Sequence, residues 1–217
     1  MTNIKGVIFD LDGVITDTAE FHYLAWKNLA KTLDIAIDRD FNETLKGISR
    51  TDSLKAILKH GGVLDQYPLA EIERLANQKN EEYVSLIQNI TPADLLPGIE
   101  DFLKGLKAKG IKIAMASASK NALVVSELLG IAHYFDHIVD AATVINSKPD
   151  PEVFLRAGEA IGILPSECLG VEDARAGVTA VKAAGMYAVG IGDATILNNA
   201  DVVFADTRSL MGLLKHL

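Results

Sequence analysis

The chain has 217 residues, of which 49% are apolar and 23% charged, and a formal net charge of −8. That is enough apolar material for one core, or for a core with a second lobe, and it excludes a disordered chain. The acidic balance, with a pI near 5.1, argues against a nucleic-acid or anionic-membrane partner but allows a small anionic ligand in a locally positive pocket. The single cysteine, Cys168, rules out an internal disulfide and reads as a small buried apolar residue. The apolar run before Asp10 is too short for a signal peptide, and none spans a bilayer. A soluble, cytoplasmic monomer is expected.

Val7-Ile8-Phe9 reads as a buried strand stopped by Asp12-Gly13. Helical spacing follows over Ala19–Leu33, with Thr18 as the expected N-cap, and again near 40–46, 51–59 and 69–89. No strand pattern interrupts residues 16–89. After Pro92 the pattern alternates. Pro97-Gly98 opens a helix that ends at Gly110, Ile111–Ala116 is a strand, and a helix runs from Asn121 to Leu129. A short strand lies within His137–Asp140, and Asp150-Pro151 opens a helix that ends near Gly162. Cys168–Val171 is a strand, Ala174–Ala184 a helix, Met186–Gly190 a strand, and Val202–Phe204 one more. The expected fold is α/β, a Rossmann-like doubly wound parallel sheet with an inserted all-helical cap. Residues 1–15 and 93–217 would form the core and 16–92 the cap, with the chain crossing near 14–18 and 89–94.

Ligands of open parallel sheets bind beyond the carboxyl ends of the strands. Four such ends carry polar groups here: Asp10 and Asp12; Ser117; Lys148; and Glu172 with Asp173. Singly, each could be a loop residue or a cap. Together they point to one crevice. Strand alternation would set Asp10 and Asp12 on one side, one to attack and one to handle a proton. Carboxylates gathered this way raise each other's pKa, and a hard divalent cation relieves the repulsion; magnesium, one per chain, is expected. Lys148 adds a positive charge suited to a phosphoryl group. Ser117-Ala118-Ser119-Lys120-Asn121 lies between a strand and a helix, a ready phosphate site unless Ser119 merely caps the helix. No dinucleotide fingerprint follows the first strand, which removes a nicotinamide reading.

Asp10-Leu11-Asp12-Gly13-Val14, Ser117, Lys148-Pro149 and Glu172-Asp173, in that order, resemble the four motifs of the haloacid dehalogenase superfamily. The resemblance implies Asp10 as nucleophile and Asp12 as general acid–base. It also implies Ser117 and Lys148 on the transferring phosphate, and Glu172 and Asp173, beside Asp10 and Asp12, on magnesium. Dehalogenating members lack the second aspartate, so that activity is not expected, and the rest of the pattern does not favour phosphonate hydrolysis through a cap lysine.

Finer details resemble the phosphosugar-mutase branch: Thr16-Asp17-Thr18, His22 with Trp26, Leu45-Lys46-Gly47-Ile48-Ser49-Arg50, Lys79-Asn80, and Ser117 through Asn121. That branch implies interconversion of β-D-glucose 1-phosphate and glucose 6-phosphate, through an aspartyl-phosphate and an activating β-glucose 1,6-bisphosphate. Arg50, with Ser119 and Asn121, would hold the second phosphate, since guanidinium binds phosphate oxygens bidentately. Thr18, His22, Trp26, Gly47, Ile48, Ser49, Lys79, Ala118 and Lys120 complete the expected substrate surface. Packing inside the cap is the alternative for His22 and Trp26, and a solvated helix lysine for Lys79. The rival functions are a magnesium-dependent sugar-phosphate phosphatase and a non-catalytic phosphosugar-binding regulator.

Overall fold

The computed structural model describes residues 3–217. Its strands are β1 (Gly6–Phe9), β2 (Lys112–Met115), β3 (His137–Ile138), β4 (Cys168–Glu172), β5 (Tyr187–Ile191) and β6 (Val202–Phe204). They form one parallel sheet in the order β3-β2-β1-β4-β5-β6. The order reverses between β1 and β4, which opens a crevice at their carboxyl ends. β1 and β4 are buried along their whole length, as central parallel strands covered on both faces must be.

Alternation along the strands divides the interior in two. Val7 and Phe9 face one apolar cluster with Leu169 and Val171, while Ile8 faces the other with Cys168. The first face is covered by α5 (Ile99–Ala108) through Phe102 and Leu106 and by α6 (Ala122–Leu128) through Val125. The second is covered by α7 (Glu152–Ala160) through Phe154 and by α8 (Arg175–Ala183) through Val181. Cys168 is the small buried residue expected.

Between β1 and β2 the chain inserts α1 (Ala19–Thr32), α2 (Arg39–Glu43), α3 (Arg50–His60) and α4 (Leu69–Ile87). These helices carry their own apolar cluster, including Trp26, Leu29, Leu54, Leu58 and Leu75. Tyr83 and Ile87, near the end of α4, join the sheet's first cluster instead. The two stretches linking the helices to the sheet pair with each other. Thr16 bridges Leu95, its hydroxyl donates to the Asp94 carbonyl at 2.7 Å, and Leu96 N–H donates to the Ile15 carbonyl at 2.9 Å.

Two details differ from the sequence expectation. Thr18 occupies the N-cap position of α1 without a capping bond, because its hydroxyl donates to Asp12 instead. At the C-terminus a 3₁₀ helix, Thr207–Lys215, had no counterpart in the sequence reading; its Leu210 and Leu213 close the edge of the first cluster beside α5.

Candidate active site

A cavity of about 400 Å³ lies over the carboxyl ends of β1 and β2, beneath the inserted helices. Asp10, Asp12, Ser117 and Asp173 line it from the sheet side, and His22 and Arg50 from the helical side. β1 stops at Phe9, so Asp10–Gly13 is a loop. Strand alternation is therefore not what aims the two aspartates together. Gly13 takes a φ of +72°, and a Cβ there would overlap the Asp173 carboxylate, so the loop turns tightly only with glycine at this position.

Asp10, Glu172 and Asp173 offer carboxylate oxygens that all lie within 4.8 Å of one another. Lys148 donates to Asp10 Oδ1 at 2.6 Å and to Glu172 Oε1 at 2.5 Å. Burial disfavours the Lys148 ammonium, but these two carboxylates outweigh it and raise the pKa. Glu172 is pushed up to about 6, first by burial and then, against the pull of Lys148, by Asp10. Burial, followed by the charges of Glu172 and Asp10, lifts Asp173 well above the ordinary carboxylate range. Lys148, with Lys46 acting on Asp173 but paired to Glu43, leaves residual negative charge on the three carboxylates, and an oxygen-ligated divalent cation fits it. Glu172 accepts from the N–H groups of Asp173 and Ala174 at 3.0 and 3.1 Å. Gly177, in the first turn of α8, leaves the room its carboxylate needs, since a Cβ there would overlap it. The Asp12 carboxylate, expected among the metal ligands, is not a member of this cluster of side chains.

Asp12 instead accepts from Thr18 and lies 3.8 Å from His22 Nε2. Burial, then the charge of Asp10, raises its pKa to about 7. Burial also drives His22 well below its ordinary value, helped by Lys79 and Arg50. The ring is thus neutral, and its contact with Asp12 is not an ion pair. Lys79 Nζ lies 2.8 Å from His22 Nδ1; with Nδ1 accepting, the ring proton sits on Nε2, toward Asp12. Lys79 is buried against the rings of Trp26 and Tyr83, 4.6 and 4.8 Å from their centroids. Burial, then Arg50, brings its pKa down to about 7. Trp26 belongs to the helical cluster and also lines the cavity.

Ser117, Ala118, Ser119, Lys120 and Asn121 form one continuous wall of the cavity before α6. Ser117 Oγ accepts from Ser119 N–H at 3.0 Å and Ser119 Oγ from Asn121 N–H at 3.2 Å. The Asn121 amide reaches across to Asn80 on α4 at 2.8 Å. Gly47, Ile48 and Arg50 line the opposite wall, where Gly47 takes a φ of +76°. Arg50 is half-buried, and among the described residues its guanidinium makes one weak contact, to Asn77 at 3.4 Å, which leaves it largely free. Ser49 stands apart: its hydroxyl caps α3, accepting from Asp52 N–H. Thr18, Lys148 and Glu172 lie just behind the cavity surface. Lys46, Asn80 and Arg208 also line it without having been picked out as site residues. Arg208 belongs to the C-terminal 3₁₀ helix and carried no sequence signal, whereas Lys46 and Asn80 adjoin picked residues.

A profile of haloacid dehalogenase-like hydrolases matches residues 4–185, and the chain belongs to that family. It is similar to β-phosphoglucomutase of Bacillus subtilis, 49% identical over 98% of this chain and 94% of the relative. It is also similar to fructose-1-phosphate phosphatase of Escherichia coli, 33% identical over 86% of this chain and 95% of the relative. The crystal structure of β-phosphoglucomutase from Clostridium difficile superposes with a TM-score of 0.94 at 48% identity, covering 95% of this chain and 93% of that one.

Proposed function

We propose that this protein is a phosphosugar mutase that interconverts β-D-glucose 1-phosphate and glucose 6-phosphate. The carrying observation is a single cavity with a phosphoryl-transfer set on one wall and a largely free arginine, Arg50, on the other. The 49% identity to a β-phosphoglucomutase supports the same reading. Residues 1–15 and 93–217 are the catalytic core, and residues 16–92 are the cap that carries Arg50.

The Asp10 carboxylate attacks a phosphorus of β-glucose 1,6-bisphosphate. The bond from phosphorus to the sugar oxygen breaks, and that oxygen takes the proton of Asp12. The monophosphate turns end for end. Its other hydroxyl then gives a proton to Asp12 and attacks the aspartyl-phosphate, restoring Asp10 and the bisphosphate. An acid–base with a pKa of about 7 suits both directions. Ser117 and Lys148 grip the transferring phosphate, while Arg50, Ser119 and Asn121 grip the other. His22, Trp26 and Lys79 line the sugar's side, and Thr18 orients Asp12. Asp10, Glu172 and Asp173, with Asp12 adjoining, would hold one Mg2+, which when bound neutralises charge on the phosphoryl oxygens. The functional unit is a monomer acting in the cytoplasm on a small phosphorylated sugar, with no nucleic-acid or membrane partner; among the described residues no helix is long and apolar enough to cross a membrane.

The phosphatase alternative, favoured by the 33% relationship to a sugar-phosphate phosphatase, differs in whether water reaches the aspartyl-phosphate. A non-catalytic binder would have no use for the Asp10–Lys148–Glu172 set. The test is to quench the enzyme during turnover with the bisphosphate and map its peptides. A hydroxylamine-labile phosphate on the Asp10 peptide is expected; phosphate on another residue, or none, would overturn the nucleophile and with it the mutase.

A further inference from the structure

Asp52 lies in the first turn of α3, two residues after Arg50. Its Oδ2 accepts two hydroxyls. One is Ser49 Oγ at 2.6 Å, from the residue that caps the same helix. The other is Ser147 Oγ at 2.5 Å, from the core loop and next in sequence to Lys148. We propose that Asp52 is a positioning residue: through Ser147 it ties the Arg50-bearing end of the helical lobe to the loop that carries Lys148, and so fixes the spacing between the two phosphate grips. The proposal rests on the mutase reading above.

A carboxylate with hydroxyl donors is a stronger tether than a pair of neutral amides, such as the Asn80–Asn121 contact between α4 and the loop before α6. Burial works against the Asp52 charge, but the hydroxyls of Ser147 and Ser49, with Lys55, outweigh it and lower its pKa. The carboxylate is therefore ionised at neutral pH and keeps both donors. A second cavity of about 260 Å³ runs along the bond, with Ser49, Asp52 and Lys55 on one side and Ser117, Ser147 and Lys148 on the other. Water in that cavity competes for the same hydroxyls, so the tether can break when the lobe swings away and reform when it returns. Arg50 and Lys148 are each joined to this one bond by short stretches of backbone, and closure sets both grips at once.

Ser147→Ala is the cleanest test, because it removes the core donor and leaves the Ser49 cap of α3 in place. Isomerisation of β-glucose 1-phosphate, with magnesium and the bisphosphate, should lose roughly tenfold in kcat/KM, mostly in KM for the bisphosphate. Hydrolysis of p-nitrophenyl phosphate, which has no second phosphate, should stay within about twofold, and Ser147→Thr should restore isomerisation. The double variant with Asp52→Ala should be no worse than Asp52→Ala alone. Small-angle scattering of the ligand-free Ser147→Ala protein should give a larger radius of gyration, whatever the substrate proves to be. Unchanged scattering and turnover would overturn the tether, as would additive losses in the double variant. So would equal losses of isomerisation and small-ester hydrolysis, which would mean that Lys148 itself had been displaced. An expanded variant of a protein that fails to turn over glucose phosphates would support the tether while overturning the mutase reading.

Discussion

Asp10 and Asp12 are two residues apart yet live in different surroundings, and that difference separates their proposed roles. Asp10 accepts from Lys148 Nζ at 2.6 Å, a contact that fixes the orientation of its carboxylate at the end of β1. Among the described residues no lysine lies within ion-pair distance of Asp12, and burial with the nearby Asp10 charge brings its pKa to about 7. A group with a raised pKa is protonated below that value and cannot act as a base. Transfer from the aspartyl-phosphate to a sugar hydroxyl should therefore rise with pH through about 7 and then level off. Asp12→Asn should lose ~10²–10⁴-fold and flatten that rise; a pH–rate profile of the same shape in the variant would remove Asp12 from the role. Gly177 offers a test of the metal site away from the ligands themselves. A methyl there overlaps the Glu172 carboxylate, so Gly177→Ala should weaken magnesium binding about 10- to 100-fold by calorimetric titration, and an unaltered affinity would contradict the site. The carboxylates were legible in the sequence because each pair, Asp10 with Asp12 and Glu172 with Asp173, follows a short β-rich run and ends at glycine or alanine. The Thr18–Asp12 bond was not, because threonine before a helix is normally read as its cap and nothing local says that its hydroxyl is taken elsewhere.

At the scale of elements, the short edge strand β3 depends on Asp136 just before it. Its carboxylate accepts from Ile113 N–H on β2 at 2.8 Å, and from Lys107 and Lys112 at 3.0 Å each. Burial would raise its pKa, but these three partners bring it down to about 2. A depressed folded-state value means that the stabilisation is complete above the unfolded value of about 3.9 and is lost as pH falls toward 2. Asp136→Asn should accordingly cost about 1–2 kcal/mol at neutral pH in denaturant unfolding, discounted for partial exposure, and the gap from the parent protein should close as pH falls toward 2. The helix-bearing turn Lys46–Arg50 supplies the second element-scale test. Arg50→Ala should cost isomerisation roughly 1.5–3 kcal/mol, about tenfold to more than a hundredfold, and hydrolysis of a small monophosphate ester much less. Equal losses in both assays would give Arg50 a structural role. Element types were readable from periodicity, since β1 and Cys168–Val171 of β4 are unbroken apolar runs and α1 and α4 keep helical spacing. The 3₁₀ helix at Thr207–Lys215 was not, because its Leu210 and Leu213 make sense only against α5, which lies about a hundred residues earlier.

For the molecule as a whole, the helical lobe has a cluster of its own, yet Tyr83 and Ile87 anchor the end of α4 in the sheet's core. The two linking stretches pair through Thr16, Asp94 and Leu96. Away from these links, Asp52 with Ser147 and Asn80 with Asn121 are further contacts that join the helices to the sheet side. The order of motifs made the two-lobed architecture legible, but contacts across the seam join residues as far apart as 52 and 147, and no local pattern announces them. Whether the closed seam passes phosphate to sugar or to water is read directly by phosphorus NMR of β-glucose 1-phosphate with enzyme, magnesium and a trace of the 1,6-bisphosphate. Glucose 6-phosphate should grow in as the 1-phosphate signal falls, with inorganic phosphate at background. Inorganic phosphate appearing as the main product, with no glucose 6-phosphate, would contradict the mutase and establish a phosphatase.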